Sequence, residues 1–152
     1  MANNYLLFSE ELSGLTEEEK NWLEQELKQP DWEDEDWSEE RIRSWCNERD
    51  VEEIELWPEF MYDVQKNDES HWSIWFYSDE SANLESLISL IVRFFKHFNR
   101  DEYFTLSWAH TCSKPRLGEF GGGAVIANKS GATWINTDSW LHEQILLLKR
   151  KT

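Results

Sequence analysis

The chain has 152 residues and a formal net charge of −16. It is long enough to bury the core of one domain, and too acidic to meet the phosphates of nucleic acid or an anionic membrane surface directly. Aromatic residues make up 14%, with 10 Trp, which excludes an acidic disordered tail, because such tails cannot bury enough apolar surface to fold. The charge is lopsided: residues 1–70 hold 23 Asp and Glu against 6 Lys and Arg, a net of −17, and residues 71–152 hold 8 against 9, a net of +1.

In chain order, Tyr5 to Phe8 predicts a short first strand, with Gly14 in the connection after it. Thr16 followed by Glu19 is a capping-box pair. It opens a helix that runs to about Lys28, turns Trp22, Leu23 and Leu27 inward and stops at Pro30. Ser38 caps a second helix with Glu39 and Glu40 in its first turn and Ile42, Trp45 and Cys46 at the spacing of a buried stripe. Phe60 to Val64 and His71 to Tyr77 alternate as two strands of a hairpin around Asn67–Ser70. The second of these puts Trp75 and Tyr77 on the face opposite Trp72, Ile74 and Phe76, a candidate dimer contact if nothing covers it. Asn83 caps a long apolar helix, Leu84 to Phe98, interrupted by Arg93 and Lys96. Tyr103 to His110 is a strand, and Phe120 to Ala127 with Ala132 to Asn136 form a last hairpin. Thr137 or Asp138 caps a final helix with Leu141, Ile145 and Leu148 inward. This order predicts an α+β fold. A mostly antiparallel sheet of about five to six strands packs with a central long helix and two to three further helices.

The organisation expected is a single domain, 1–152, with an acidic helical first part (1–50) and a sheet-rich part (51–152). No secretory leader and no bilayer-length apolar run is present, so the expected location is cytoplasmic and no membrane partner is expected. Cys46 and Cys112 match no zinc or redox spacing, and His71, His97, His110 and His142 show no ligand spacing. The expectation is therefore no metal and no cofactor.

Three segments could carry function. The first is Asp31-Trp32-Glu33-Asp34-Glu35-Asp36-Trp37 together with Glu39 and Glu40. Dense carboxylates with aromatic anchors suit a basic protein surface, where Trp supplies cation–π and burial energy. The bland counterpart is a solvated loop pinned by its two Trp residues. The second is the glycine cluster Gly118–Gly123, in which Gly121, Gly122 and Gly123, with Lys114 and Arg116, could cradle an anion. That segment lacks the Gly-Lys-Ser/Thr ending of a phosphate loop and leads into a strand, so the favoured reading is a bulged strand on which a Trp ring lies flat. The third is Cys112 with His110, a thiolate nucleophile if the strand continues and brings the two to one side.

The run Thr111-Cys112-Ser113-Lys114-Pro115-Arg116-Leu117-Gly118-Glu119-Phe120-Gly121-Gly122-Gly123-Ala124, with Trp134-Ile135-Asn136-Thr137 and the Trp140-Leu141 helix, resembles a family of small acidic proteins of phages, prophages and plasmids. The resemblance covers the last third of the chain. It implies a mobile-element accessory protein, a class in which some members inhibit host defence nucleases as acidic DNA mimics. The expected function is a non-catalytic, acidic protein-interaction module with a basic protein surface as partner and no direct contact with nucleic acid. The alternatives are a small enzyme acting on an anionic substrate through the Cys112/Lys114/Arg116/glycine region, and a toxin-neutralising immunity protein. Oligomeric state is left open.

Overall fold

The computed structural model describes residues 2–28, 38–52 and 59–151. The elements are β1 (Asn4–Leu15), α1 (Glu17–Leu27), α2 (Glu39–Arg49), β2 (Met61–Lys66), β3 (Trp72–Ser78), α3 (Leu84–His97), β4 (Phe104–Cys112), β5 (Gly121–Asn128), β6 (Gly131–Asn136) and α4 (Thr137–Arg150). The strands form one six-stranded sheet in the order β2-β3-β1-β4-β5-β6, with every neighbouring pair antiparallel. With four helices among the described residues, this is the α+β class that the alternation and turn chemistry predict.

The first strand is three times as long as the aromatic run suggests. Asn4 to Leu7 pair with β4, and Phe8 to Leu15 pair with β3, so β1 changes neighbours partway along. The polar Ser9-Glu10-Glu11 stretch hides this in the sequence, because one face of the strand stays near water. Gly14 lies inside the strand, not in a connection. Its φ of 68° falls where the register jumps between Leu12 opposite Ile74 and Leu15 opposite Trp72, a backbone turn that glycine makes without a Cβ penalty.

One face of the sheet makes the core. Phe8, Leu12, Ile74, Phe76, Leu106, Val125 and Ala127 are buried against Leu23 and Leu27 of α1 and a broad apolar surface of α3. α3 buries Leu87, Ile88, Leu90, Ile91, Phe94 and Phe95, and Asn83 caps it by accepting from the Ser86 N–H at 3.3 Å. At 14 residues α3 is no longer than α4, so length does not set it apart. What distinguishes the two is burial. The apolar side chains of α4 do not face inward as the periodicity suggests: Leu141, Ile145 and Leu148 are 46%, 49% and 64% exposed. The cap of α4 is Asn136, which accepts from the Ser139 N–H at 2.8 Å; the expected caps Thr137 and Asp138 sit in its first turn.

α2 is fastened by charge. Glu26 of α1 is buried and accepts from Arg49 of α2 at 2.7 and 2.8 Å, and from Arg93 of α3. Both guanidinium groups also lie over the Trp45 ring. The Arg93 that interrupts an apolar helix in the sequence is thus one of two cations around one interior carboxylate. Burial alone would raise the Glu26 pKa, but the hydrogen bonds and charges of Arg49 and Arg93 outweigh it and hold the group below its ordinary value.

Candidate functional site

The acids of the first half differ in environment, and some of the exposed ones are paired: Glu24 with Lys20 at 3.0 Å and Glu48 with Arg49 at 3.6 Å. Glu19 closes the capping box: its carboxylate accepts from the Thr16 N–H at 2.9 Å, and the Thr16 hydroxyl accepts from the Glu19 N–H at 3.2 Å. The same carboxylate also takes Arg100 at 3.0 Å, so Glu19, like Glu26, is buried and neutralised by a base. Glu17 and Glu18 in the first turn of α1, and Glu39 and Glu40 in the first turn of α2, are exposed. Among the described residues none of these four has a basic partner. The positive ends of two helix dipoles hold them in place. Of the residues expected to bind a partner, Asp31, Trp32, Glu33, Asp34, Glu35, Asp36 and Trp37 lie outside the described residues. Glu39 and Glu40 lie within them, just after the Ser38 cap, whose hydroxyl accepts from the Arg41 N–H at 3.3 Å.

The glycine segment is a strand with regular pairing. Gly121, Gly122 and Gly123 of β5 stand opposite His110, Ala109 and Trp108 of β4 in unbroken register, so the bulge expected there is absent. Their small size answers to close approach. A Cβ on Gly122 would strike the Trp108 carbonyl oxygen, and one on Gly123 would strike both the Trp108 indole and the Ile135 carbonyl oxygen. Trp108 then meets Trp134 edge to face at 5.8 Å. Gly118, with a φ of 74°, supplies the left-handed turn in the preceding loop.

At this end of the sheet lies an open cavity of about 600 Å³, lined by Tyr5, Trp108, His110, Glu119, Gly121, Gly122, Asn136 and Asp138 among others. His110, Gly121 and Gly122 reach it; Cys112, Lys114, Arg116 and Gly123 do not line it. Among the described residues, two carboxylates and no Lys or Arg line the cavity, so no Lys or Arg charge meets an anion there. Lys114 and Arg116 are exposed on the loop outside. Cys112 pairs with Asn4 at the end of β4, and among the described residues no hydrogen bond joins it to His110. Both cysteines are free thiols, and among the described residues no three His, Cys, Asp or Glu side chains converge as a metal site requires. Nor, among the described residues, is any helix long and apolar enough to cross a membrane.

Comparison with protein-family models, curated proteins and solved structures yields no match, so the functional reading rests on the chain's own geometry.

Proposed function

We propose that the protein is a non-catalytic binding module whose acidic N-terminal half engages a basic surface on another protein. The observation that supports this reading is the separation of the acids by environment. Glu19 and Glu26 turn inward and are matched by Arg49, Arg93 and Arg100, whereas Glu17, Glu18, Glu39 and Glu40 face water and form no ion pair with a base among the described residues. In sequence, Asp31–Trp37 joins the two helices that carry these four and adds five further carboxylates. A field of one sign attracts a cationic partner, speeds encounter and suppresses acidic competitors. In its sharpest form the module mimics the charge of DNA and inhibits a basic nucleic-acid-binding or defence protein of the host of a mobile element. A toxin-neutralising immunity protein would use the same physics on another target. The enzyme alternative draws less support: its Cys112, Lys114 and Arg116 do not line the cavity that His110 reaches.

The test is affinity capture from the native host at low salt, with mass spectrometry of what elutes as salt rises. A partner with a basic surface is expected to elute early, and the variant Glu17→Gln/Glu18→Gln/Glu39→Gln/Glu40→Gln is expected to release it at lower salt still. Capture of acidic proteins only, or a complex indifferent to salt, overturns the reading.

A further inference from the structure

Among the described residues, α4 buries none of its own side chains. A hydrogen bond ties it to the sheet at its first residue, where the Thr137 hydroxyl donates to the Gly122 carbonyl oxygen at 3.0 Å. Beyond that point every residue to Arg150 is exposed except the half-buried Gln144. Yet its composition is that of a packed helix. Trp140, Leu141, Ile145, Leu147 and Leu148 fall on one broad stripe and are 44–64% exposed together with Leu146. A helix of this length standing alone in water is marginal, because packing of its apolar side supplies most of a helix's stability. Beside its attachment point, no described helix packs on the sheet face opposite the core. Ile126, opposite Thr133, and Ile135, opposite Ala124, lie diagonally on one face of β5 and β6 and are 48% and 53% exposed over a shallow groove of about 330 Å³. Among the described residues, 11 of the 15 large exposed apolar side chains lie between Leu117 and Leu148.

We infer that a second copy of this chain covers this surface, in a two-fold dimer in which α4 of each protomer packs on α4 and the β5–β6 face of the other. Two quantities favour a second copy over another occupant. The first is area. Half-exposed side chains of this size leave on the order of 100 Å² each in water, so the five on the α4 stripe with Ile126 and Ile135 present roughly 700 Å² per copy, close to the ~800 Å² that each partner gives a standard interface. The second is charge. Residues 71–152 hold 8 acids and 9 bases, so two such halves meet with no net repulsion. The −17 of residues 1–70 would drive two acidic halves apart. Among the described residues, Glu10 is the one acid of the first half that lines the groove, so most of the excess negative charge lies outside the junction. A self-complementary patch of this kind closes on itself at two copies. The inference stands independently of what the acidic half binds.

The experiment is sedimentation equilibrium of the full chain over a wide concentration range. The expected mass is twice 18.3 kDa. The double variant Ile145→Glu/Leu148→Glu places carboxylates on the stripe without touching a buried residue. It should sediment as a folded monomer with native near-UV circular dichroism, its dissociation constant raised at least about a hundredfold. Added salt should leave the wild-type dimer intact or tighten it, the opposite of its effect on a basic partner. A wild-type monomer at every concentration overturns the inference, whatever else α4 then touches. So does a folded double variant that still sediments as a dimer.

Discussion

A methyl group on Gly123 has nowhere to go: the Trp108 indole occupies one side and the Ile135 carbonyl the other. Because the indole is itself held against Trp134, Gly123→Ala is expected to destabilise the fold by about 1–3 kcal/mol, read as a lower urea midpoint at unchanged slope. Lys114→Ala or Arg116→Ala, exposed on the loop before it, should stay within about 0.5 kcal/mol of wild type. A midpoint unmoved by Gly123→Ala would mean that the tryptophan yields and the glycine answers to something else. That a ring rests on this glycine run was legible, since consecutive glycines in a strand signal close approach. Which ring, and the unbroken register beneath it, were not. Both depend on β4 arriving from elsewhere in the chain to set Trp108 opposite Gly123. Nor did the sequence pick Glu26 out of 23 acids in the first half, although an arginine on an apolar helix is the signal that an interior carboxylate must exist for it.

The helices differ in how they are secured, and the differences predict how each fails. α1 has its capping box and a buried apolar side; α3 has seven buried residues; α2 buries only Cys46 and relies on the Glu26 pairs with Arg49 and Arg93. Arg49→Met should cost about 1–3 kcal/mol, less than stripping a buried carboxylate bare, because Arg93 remains. The pH dependence follows from the direction of the shift. The Glu26 pKa is held below its ordinary 4.5 in the folded state, so the unfolded chain takes up this proton first as pH falls. The stabilisation is complete above about pH 5 and is lost as acid brings the pH down through the lowered folded value. Arg49→Met, with the shift reduced, should show a shallower loss of stability between pH 7 and 3; an equal slope would place the acid sensitivity elsewhere. At this scale the sequence was readable wherever a local rule decides the matter, as at Thr16, Ser38 and Asn83. It misled at α4, whose periodicity states that one side is to be covered and is silent on which molecule covers it.

Over the whole molecule the net charge of −16 opposes compaction, since the outward carboxylates repel one another while the half-buried bases Arg49, Arg93 and Arg100 are engaged by Glu26 and Glu19. Screening should relieve this. The melting temperature is expected to rise by several degrees from low salt to about 0.5 M NaCl, as the repulsion shrinks with the Debye length. A fall would show that the ion pairs outweigh the repulsion. The placement of β1 has a consequence for anyone dissecting the protein. The charge changes sign near residue 70, which invites a cut there, but β1 lies between β3 and β4 and hydrogen-bonds to both. A fragment freed of its acidic residues would present two open strand edges where its centre had been, and open edges recruit other chains. The excess negative charge cannot be removed by truncation, only residue by residue.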